Sequence, residues 1–187
     1  LHAANTQADW EVVDPYGFAG VLGALDDHLL VEGTHRRLYE KLGAHPMRHQ
    51  GVDGVHFAVW APNASAVSVV GDFNFWDARH HPMRKRIDSG VWEIFLPGLG
   101  EGTKYKFRVR SADGRDMPLK ADPFGFFAEL RPATASVVAR TDNFAWSDGA
   151  WMEARARQDP RRVPIAAYEV HLGSWRRGWA GEMLDWD

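Results

Sequence analysis

Three aromatic side chains crowd one short polar stretch of the sequence, VSVVGDFNFWDARHHPM at residues 67–83. Phe73, Phe75 and Trp76 follow a run of β-branched residues, and Asn74 lies between the two phenylalanines. Rings offer broad apolar faces, and an amide both donates and accepts hydrogen bonds. Together they suit a flat, hydroxylated ligand such as a sugar. The same rings could instead fill the end of a protein core, and the residue types alone leave both interpretations open.

A further candidate ligand group lies on the most regular strand pattern, TKYKFRVRSADG. Tyr105 and Phe107 alternate with basic residues, so the apolar side chains face one way and the basic ones the other. Lys106 therefore projects from the polar face, where its ammonium group can donate to hydroxyl groups. We predict that Trp76, Asn74 and Lys106 bind carbohydrate.

Alternating runs of this kind fill the middle of the chain. GVHFAVWAP places Val55, Phe57 and Val59 on one face, and VWEIFLPG and TASVVAR supply further short runs. Short strands separated by Gly-rich and Pro-rich turns are typical of antiparallel sandwiches. The predicted fold class is mainly β: an immunoglobulin-like antiparallel β-sandwich with flanking short helices.

The flanking segments have different patterns. Leu22, Leu25 and Leu29 are spaced as on a helix, and Thr34 is the predicted N-cap of a second helix through HRRLYEKL. After the sandwich, DGAWMEARARQ predicts a short helix. The compact apolar run IAAYEVHLG then predicts a strand buried on both faces, as in a parallel sheet.

These patterns divide the chain into five predicted regions. They are the tail of a preceding N-terminal domain (1–20), a helical linker (21–50), the carbohydrate-binding sandwich (51–141), a second linker (142–164) and the first strand of a truncated (β/α) barrel (165–187).

Composition and spacing exclude several kinds of site. The chain has no cysteine, which excludes disulfides and thiolate ligands and agrees with a cytoplasmic location. The net charge of −3 argues against nucleic acid, and no apolar run approaches the ~18 residues of a membrane span. His80 and His81 are adjacent, and His45 and His49 flank Pro46, so neither pair has a metal-binding spacing. We predict no metal and no cofactor.

Longer motifs resemble a known family. FAVWAPNASAVSVVGDFNFWDARHHPM closely resembles the family 48 carbohydrate-binding module that precedes the barrel in 1,4-α-glucan branching enzymes of glycoside hydrolase family 13. EGTHRRLYEKLGAHP and AAYEVHLGSWRR resemble other segments of those enzymes, the latter their first barrel strand. The resemblance implies the N-terminal glucan-binding part of a transferase that moves α-1,4-glucan segments to 6-hydroxyl groups in glycogen synthesis.

The resemblance also implies partners and site residues. The partners are glycogen, amylose and malto-oligosaccharides, together with the barrel domain on which this chain would pack. The catalytic carboxylates of the family lie on later barrel strands, so the chain alone is expected to be inactive and to hold no catalytic residue. In related glycogen-binding modules a Trp and a Lys at the positions of Trp76 and Lys106 contact glucan. A second platform Trp has no counterpart here.

Two alternatives remain for the whole chain. It could be a stand-alone glycogen-binding module, although such a module has no need of AAYEVHLGSWRR. It could also be part of a debranching or trehalose-releasing relative. The combination of EGTHRRLYEKLGAHP with YEVHLGSWRR favours a branching enzyme over that alternative.

Overall fold

The chain folds into a body of antiparallel strands followed by a largely irregular segment. The structure is a computed structural model and describes residues 2–4, 9–11 and 13–183. It divides into two compact units, one up to Asn143 and one from Phe144 onward. Within the described residues the strands are β1 (His2–Ala4), β2 (Asp9–Glu11), β3 (Gly43–His49), β4 (Val52–Trp60), β5 (Ala64–Gly71), β6 (Arg84–Lys85), β7 (Val91–Pro97), β8 (Lys104–Ser111), β9 (Phe127–Ala128) and β10 (Ser136–Val137), and the α-helices are α1 (Ala24–Glu32), α2 (Gly149–Ala156) and α3 (Leu172–Trp175).

Two four-stranded sheets form the sandwich that the sequence predicts. One sheet has the order β3-β4-β7-β6 and the other β5-β8-β10-β9, and all neighbouring strands are antiparallel. In the register of β4 and β7, Phe57 lies opposite Ile94. In that of β5 and β8, Val69 lies opposite Phe107. The predicted mainly β, sandwich-type fold is thereby confirmed.

The core lies between the two sheets and follows the alternation of the sequence. Val55, Phe57 and Val59 on β4 share one cluster with Tyr105 and Phe107 on β8, and all five are buried. Each such side chain removed from water contributes roughly 1.5–3 kcal/mol. The interior therefore holds β5 and β8 in the fixed positions from which the candidate ligand groups extend.

The outer face of the sheet β3-β4-β7-β6 is also covered. This explains why apolar and polar residues do not alternate along β7. Leu22 and Leu42 pack with Ala58 and Val91 on this face, and Leu30 of α1 joins them. The segment before the sandwich is therefore packed against a sheet. Both faces of the central strands β4 and β7 are consequently buried.

A buried carboxylate, Glu93 of β7, lies beneath that covering segment. It is 4% exposed and accepts hydrogen bonds from His56 Nε2 (3.0 Å), Arg86 Nη1 (2.7 Å) and the backbone N–H groups of Val21 (3.0 Å) and Leu22 (3.2 Å). Burial alone would raise the pKa of Glu93, but the hydrogen bonds from His56 and Arg86 outweigh it and lower the pKa to about 2. Glu93 therefore stays ionised.

Arg86 extends this cluster to α1. Its Nε donates to both carboxylate oxygens of Asp27 at 2.8 and 2.9 Å, and Ser89 Oγ donates to Asp27 Oδ1 at 2.7 Å. Burial lowers the pKa of His56, so its imidazole is neutral near pH 7 and donates from Nε2 to Glu93. One charged network thus joins the helix, two strands and the chain entering the sandwich.

The prediction of a second helix through HRRLYEKL is wrong. The first helix ends at Glu32, where Gly33 adopts the left-handed conformation (φ 71°) common at helix ends. A short 3₁₀ helix at Leu38–Glu40 follows, and residues 43–49 then form β3, which pairs with β4. Pro46 interrupts the usual strand pattern and is tolerated because β3 lies at the sheet edge.

The segment after the sandwich confirms one expectation and differs from another. The helix predicted in DGAWMEARARQ is α2. The strand predicted in IAAYEVHLG is absent: residues 165–171 have no regular structure and pair with none of the described residues. Ile165 and Tyr168 are exposed, so the expected burial is absent as well. A strand exists only through hydrogen bonds to a neighbour. None of the helices in the described part of the chain could cross a membrane.

Substitution of the buried carboxylate tests the charged network. Glu93→Gln should lower the free energy of unfolding by about 3 kcal/mol, because Arg86 loses the buried carboxylate that balances its charge. Chemical denaturation at pH 7 measures the change. Glu153→Gln on α2 replaces an exposed carboxylate and should shift the value by less than about 0.5 kcal/mol. Equal losses in the two variants would contradict the assignment.

The same network predicts how stability depends on pH. The pKa of Glu93 falls from its ordinary 4.5 to about 2 on folding, so the unfolded chain takes up the proton first. This contribution is present above pH 4.5 and disappears as the pH falls towards 2. The lowered pKa of His56 adds a loss that begins below about pH 6.5. Urea midpoints between pH 7 and 3 should fall for the parent chain and fall less steeply for Glu93→Gln. Parallel curves would contradict this prediction.

Candidate carbohydrate-binding site

The aromatic loop, defined here as residues 71–77, begins where β5 ends and folds back onto it. Residues Asp72–Asn74 form one 3₁₀ turn, and Trp76 N then donates to the carbonyl oxygen of Gly71 at 2.9 Å. Glycine is required at the start of the loop, because a Cβ on Gly71 would collide with the carbonyl oxygen of Lys104 on β8. The loop is therefore pressed against the neighbouring strand.

Phe73 fills the end of the core. Its ring is partly buried, with its centroid 6.3 Å from that of Phe57 and 5.6 Å from that of His81. Of the two interpretations that the sequence leaves open for the three rings, the core-filling one is correct for this residue.

Asn74 holds the loop from inside. The side chain is 3% exposed, and its Oδ1 accepts from Gly71 N at 2.9 Å. Its Nδ2 donates to the Val69 carbonyl oxygen at 3.0 Å and to His81 Nδ1 at 2.9 Å. Burial, with a smaller effect of His80, lowers the pKa of His81 and keeps its Nδ1 free to accept. This placement differs from the prediction that Asn74 contacts a ligand, because the amide is already engaged inside the protein.

Phe75 and Trp76 form the outer part of the loop. Phe75 is 90% exposed, whereas Trp76 is partly exposed and donates from Nε1 to Asp72 Oδ1 at 2.8 Å. Both backbones are left-handed, with φ of 55° and 60°. For bulky residues this conformation costs about 1–3 kcal/mol each and persists only where neighbouring bonds impose it. Here the bonds of Asn74 impose it.

Lys106 lies on the strand beside the loop. On β8 it pairs with Val70, the residue immediately before Gly71, and its side chain is partly exposed. Its Nζ donates to Thr134 Oγ1 at 2.6 Å. The register of the sheet thus brings Lys106 to the strand end that carries Trp76. Both offer a ligand an accessible group, and Asn74 does not.

A second buried carboxylate belongs to Asp122, which precedes Pro123 in the sequence. Asp122 accepts from Tyr105 Oη at 2.7 Å and from Phe124 N at 2.8 Å, and its own N–H donates to Ser136 Oγ at 2.9 Å. Burial raises the pKa values of both Asp122 and Tyr105. The hydrogen bond between Tyr105 and Asp122 fastens the chain after β8 to the sheet. In the sequence, the Asp122-Pro123 pair indicates only a turn. Among the described residues, no group of three or more His, Asp or Glu side chains is placed to hold a metal ion.

Asn74→Ala tests the role assigned to the buried amide. The change leaves Gly71 N and the Val69 carbonyl unpaired, so the free energy of unfolding should fall by about 1–3 kcal/mol. Denaturant unfolding measures it, with Asn63→Ala, at an exposed asparagine, as the control. If both variants unfold like the parent chain, the amide does not hold the loop.

The chain is similar in sequence to known proteins, both within the sandwich and beyond it. Residues 41–125 match the model of carbohydrate-binding module 48, described as the isoamylase N-terminal domain. The chain is 54% identical over 186 residues to the "1,4-alpha-glucan branching enzyme GlgB" of Mesorhizobium japonicum, a match that covers 100% of this chain and 25% of the relative. It is 60% identical over 167 residues to the enzyme of the same name from Paramagnetospirillum magneticum, covering 89% of this chain and 23% of the relative.

Solved structures also include similar proteins. A pullulanase from Bacillus acidopullulyticus matches with a TM-score of 0.42 and 24% identity, over 54% of this chain and 12% of that one. The sequence matches are far stronger, and they extend well beyond the module on both sides. Residues 41–125 thus match the carbohydrate-binding module 48 family, and the chain as a whole is similar in sequence to a portion, about a quarter in length, of the 1,4-alpha-glucan branching enzymes.

Proposed function

We propose that this chain is the N-terminal, glucan-binding portion of a 1,4-α-glucan branching enzyme, which transfers α-1,4-glucan segments to 6-hydroxyl groups in glycogen synthesis. Similarity over 100% of the chain to a protein of that name supports the proposal. The catalytic carboxylates lie, on this proposal, outside the chain. The chain alone binds glycogen, amylose or malto-oligosaccharides and does not cleave them.

The exposed aromatic loop is the observation that carries glucan binding. The indole of Trp76 is fixed by its bond to Asp72, so little side-chain freedom is lost when a sugar ring stacks on it. The ammonium group of Lys106, at the same end of the sheet, donates to sugar hydroxyl groups. Asn74 acts as a positioning residue that keeps the loop in its bound shape.

Residues 144–187 serve a different purpose on this proposal. They expose several large apolar side chains, among them Trp151, Ile165 (78% exposed) and Tyr168 (77%). Apolar surface of this kind marks a contact with another body. We assign that contact to the barrel domain of the enzyme, in which residues 165–171, irregular in this structure, would pair as the first strand. The proposed location is the cytoplasm. A protein without cysteine forms no disulfides, so its folding does not depend on an oxidising compartment.

The stand-alone glycogen-binding module is the second candidate. It accounts for residues 41–125 and leaves the rest of the chain without a role. The match to branching enzymes extends across that remainder, which favours the first candidate. The debranching or trehalose-releasing alternative has no comparable support from the sequence relatives, which carry the branching-enzyme name.

Trp76→Ala tests the glucan site. Loss of the stacking ring should weaken retention of the chain in a native gel containing glycogen by about tenfold. Trp60→Ala is the matched control, because Trp60 is also exposed but ends β4 in the opposite sheet. Thermal unfolding of both variants confirms that they are folded. Equal retention of the two variants would refute the proposed site.

A further inference from the structure

Phe75 is the one residue of the aromatic loop whose side chain lies almost wholly in water. Its ring is 90% exposed, whereas Phe73 and Trp76 are partly buried. A ring so placed contributes little to the packing of the fold. The stability of the sandwich therefore gives no reason for an aromatic residue at this position.

The backbone gives a reason against one. Phe75 has φ 55° and ψ 29°, in the left-handed region that glycine or asparagine adopts at less cost than a bulky residue. Trp76 follows with φ 60°, so two consecutive aromatic residues carry the same strain. Strained residues with exposed side chains, held in place by a buried clamp, are typical of ligand-binding surfaces.

The two left-handed residues also fix the directions of their side chains. Two consecutive residues with these torsions have roughly the mirror-image conformation of an α-helix. In an α-helix each residue is rotated by about 100° about the helix axis from the residue before it. The Cα–Cβ bonds of Phe75 and Trp76 therefore leave the backbone in different directions, and the two residues offer separate contacts to a ligand. A chain that curves from one sugar unit to the next can meet both, and α-1,4-linked glucans curve in this way.

We propose that Phe75 is a second aromatic contact of the glucan site and touches a sugar unit next to the one stacked on Trp76. The inference rests on the proposed function, since it concerns the same loop and the same ligand. It gives the site a second ring within a single turn.

The test compares Phe75→Ala and Phe75→Gly in the 187-residue chain, by calorimetric titration with maltoheptaose. Both variants should bind about two- to tenfold more weakly than the parent chain, because one ring contact is lost. The glycine variant should unfold at the same temperature as the parent or a higher one, since it relieves the backbone strain. Weaker binding without loss of stability is a result that a purely structural role for Phe75 would not give.

Phe127→Ala is the matched control. Phe127 is also an exposed phenylalanine of the same sheet, but β9 is separated from β5 by β8 and β10. Its affinity should equal that of the parent chain. Parent-like binding by both Phe75 variants, together with weak binding by Trp76→Ala, would overturn this inference and leave the proposed function intact. No binding of maltoheptaose by the parent chain would overturn both.

Discussion

The shape of the aromatic loop depends on the buried amide of Asn74. One side chain satisfies the backbone at the end of β5 and contacts His81, and so fixes a turn in which two bulky residues are left-handed. Without those bonds, Phe75 and Trp76 would relax to ordinary conformations and their rings would move. A buried polar network thus maintains the shape of a loop that adds little to the core.

The rest of the sandwich serves as the frame for that loop. The core clamps β5 against β8, which fixes the spacing between the loop and Lys106. On the opposite sheet, Glu93 links β7 to α1 through Arg86 and Asp27, so the segment before the sandwich becomes part of the same body. Because these carboxylates are ionised inside the protein, this part of the frame is most stable near neutral pH and weakens in acid.

The sequence predicts the features that depend on local alternation. Val55, Phe57 and Val59 point to the core as their spacing indicates, and the same holds for Tyr105 and Phe107. Features that depend on distant partners were missed. The proline in β3 obscures that edge strand, and the burial of Glu93 follows from a segment some seventy residues earlier in the chain.

The candidate site shows the same division. The residue types around Trp76 and Lys106 indicate a ligand-binding surface, and the strand register places the two at one end of a sheet. The sequence does not reveal that Asn74 faces inward, because its partners are backbone atoms and a histidine brought together only by the folded loop. Nor does it separate the three rings of the loop into one that packs and two that face solvent.

Titration of the ¹⁵N-labelled chain with maltoheptaose, followed by NMR, tests the central claim most directly. Trp76→Phe identifies the indole N–H signal of Trp76 among those of the nine tryptophans. We predict that the largest shifts fall on this indole, on the backbone amides of residues 71–77 and on Lys106. Shifts confined to other parts of the chain, or no shifts at saturating ligand, would contradict the assignment of the aromatic loop as a glucan-binding site.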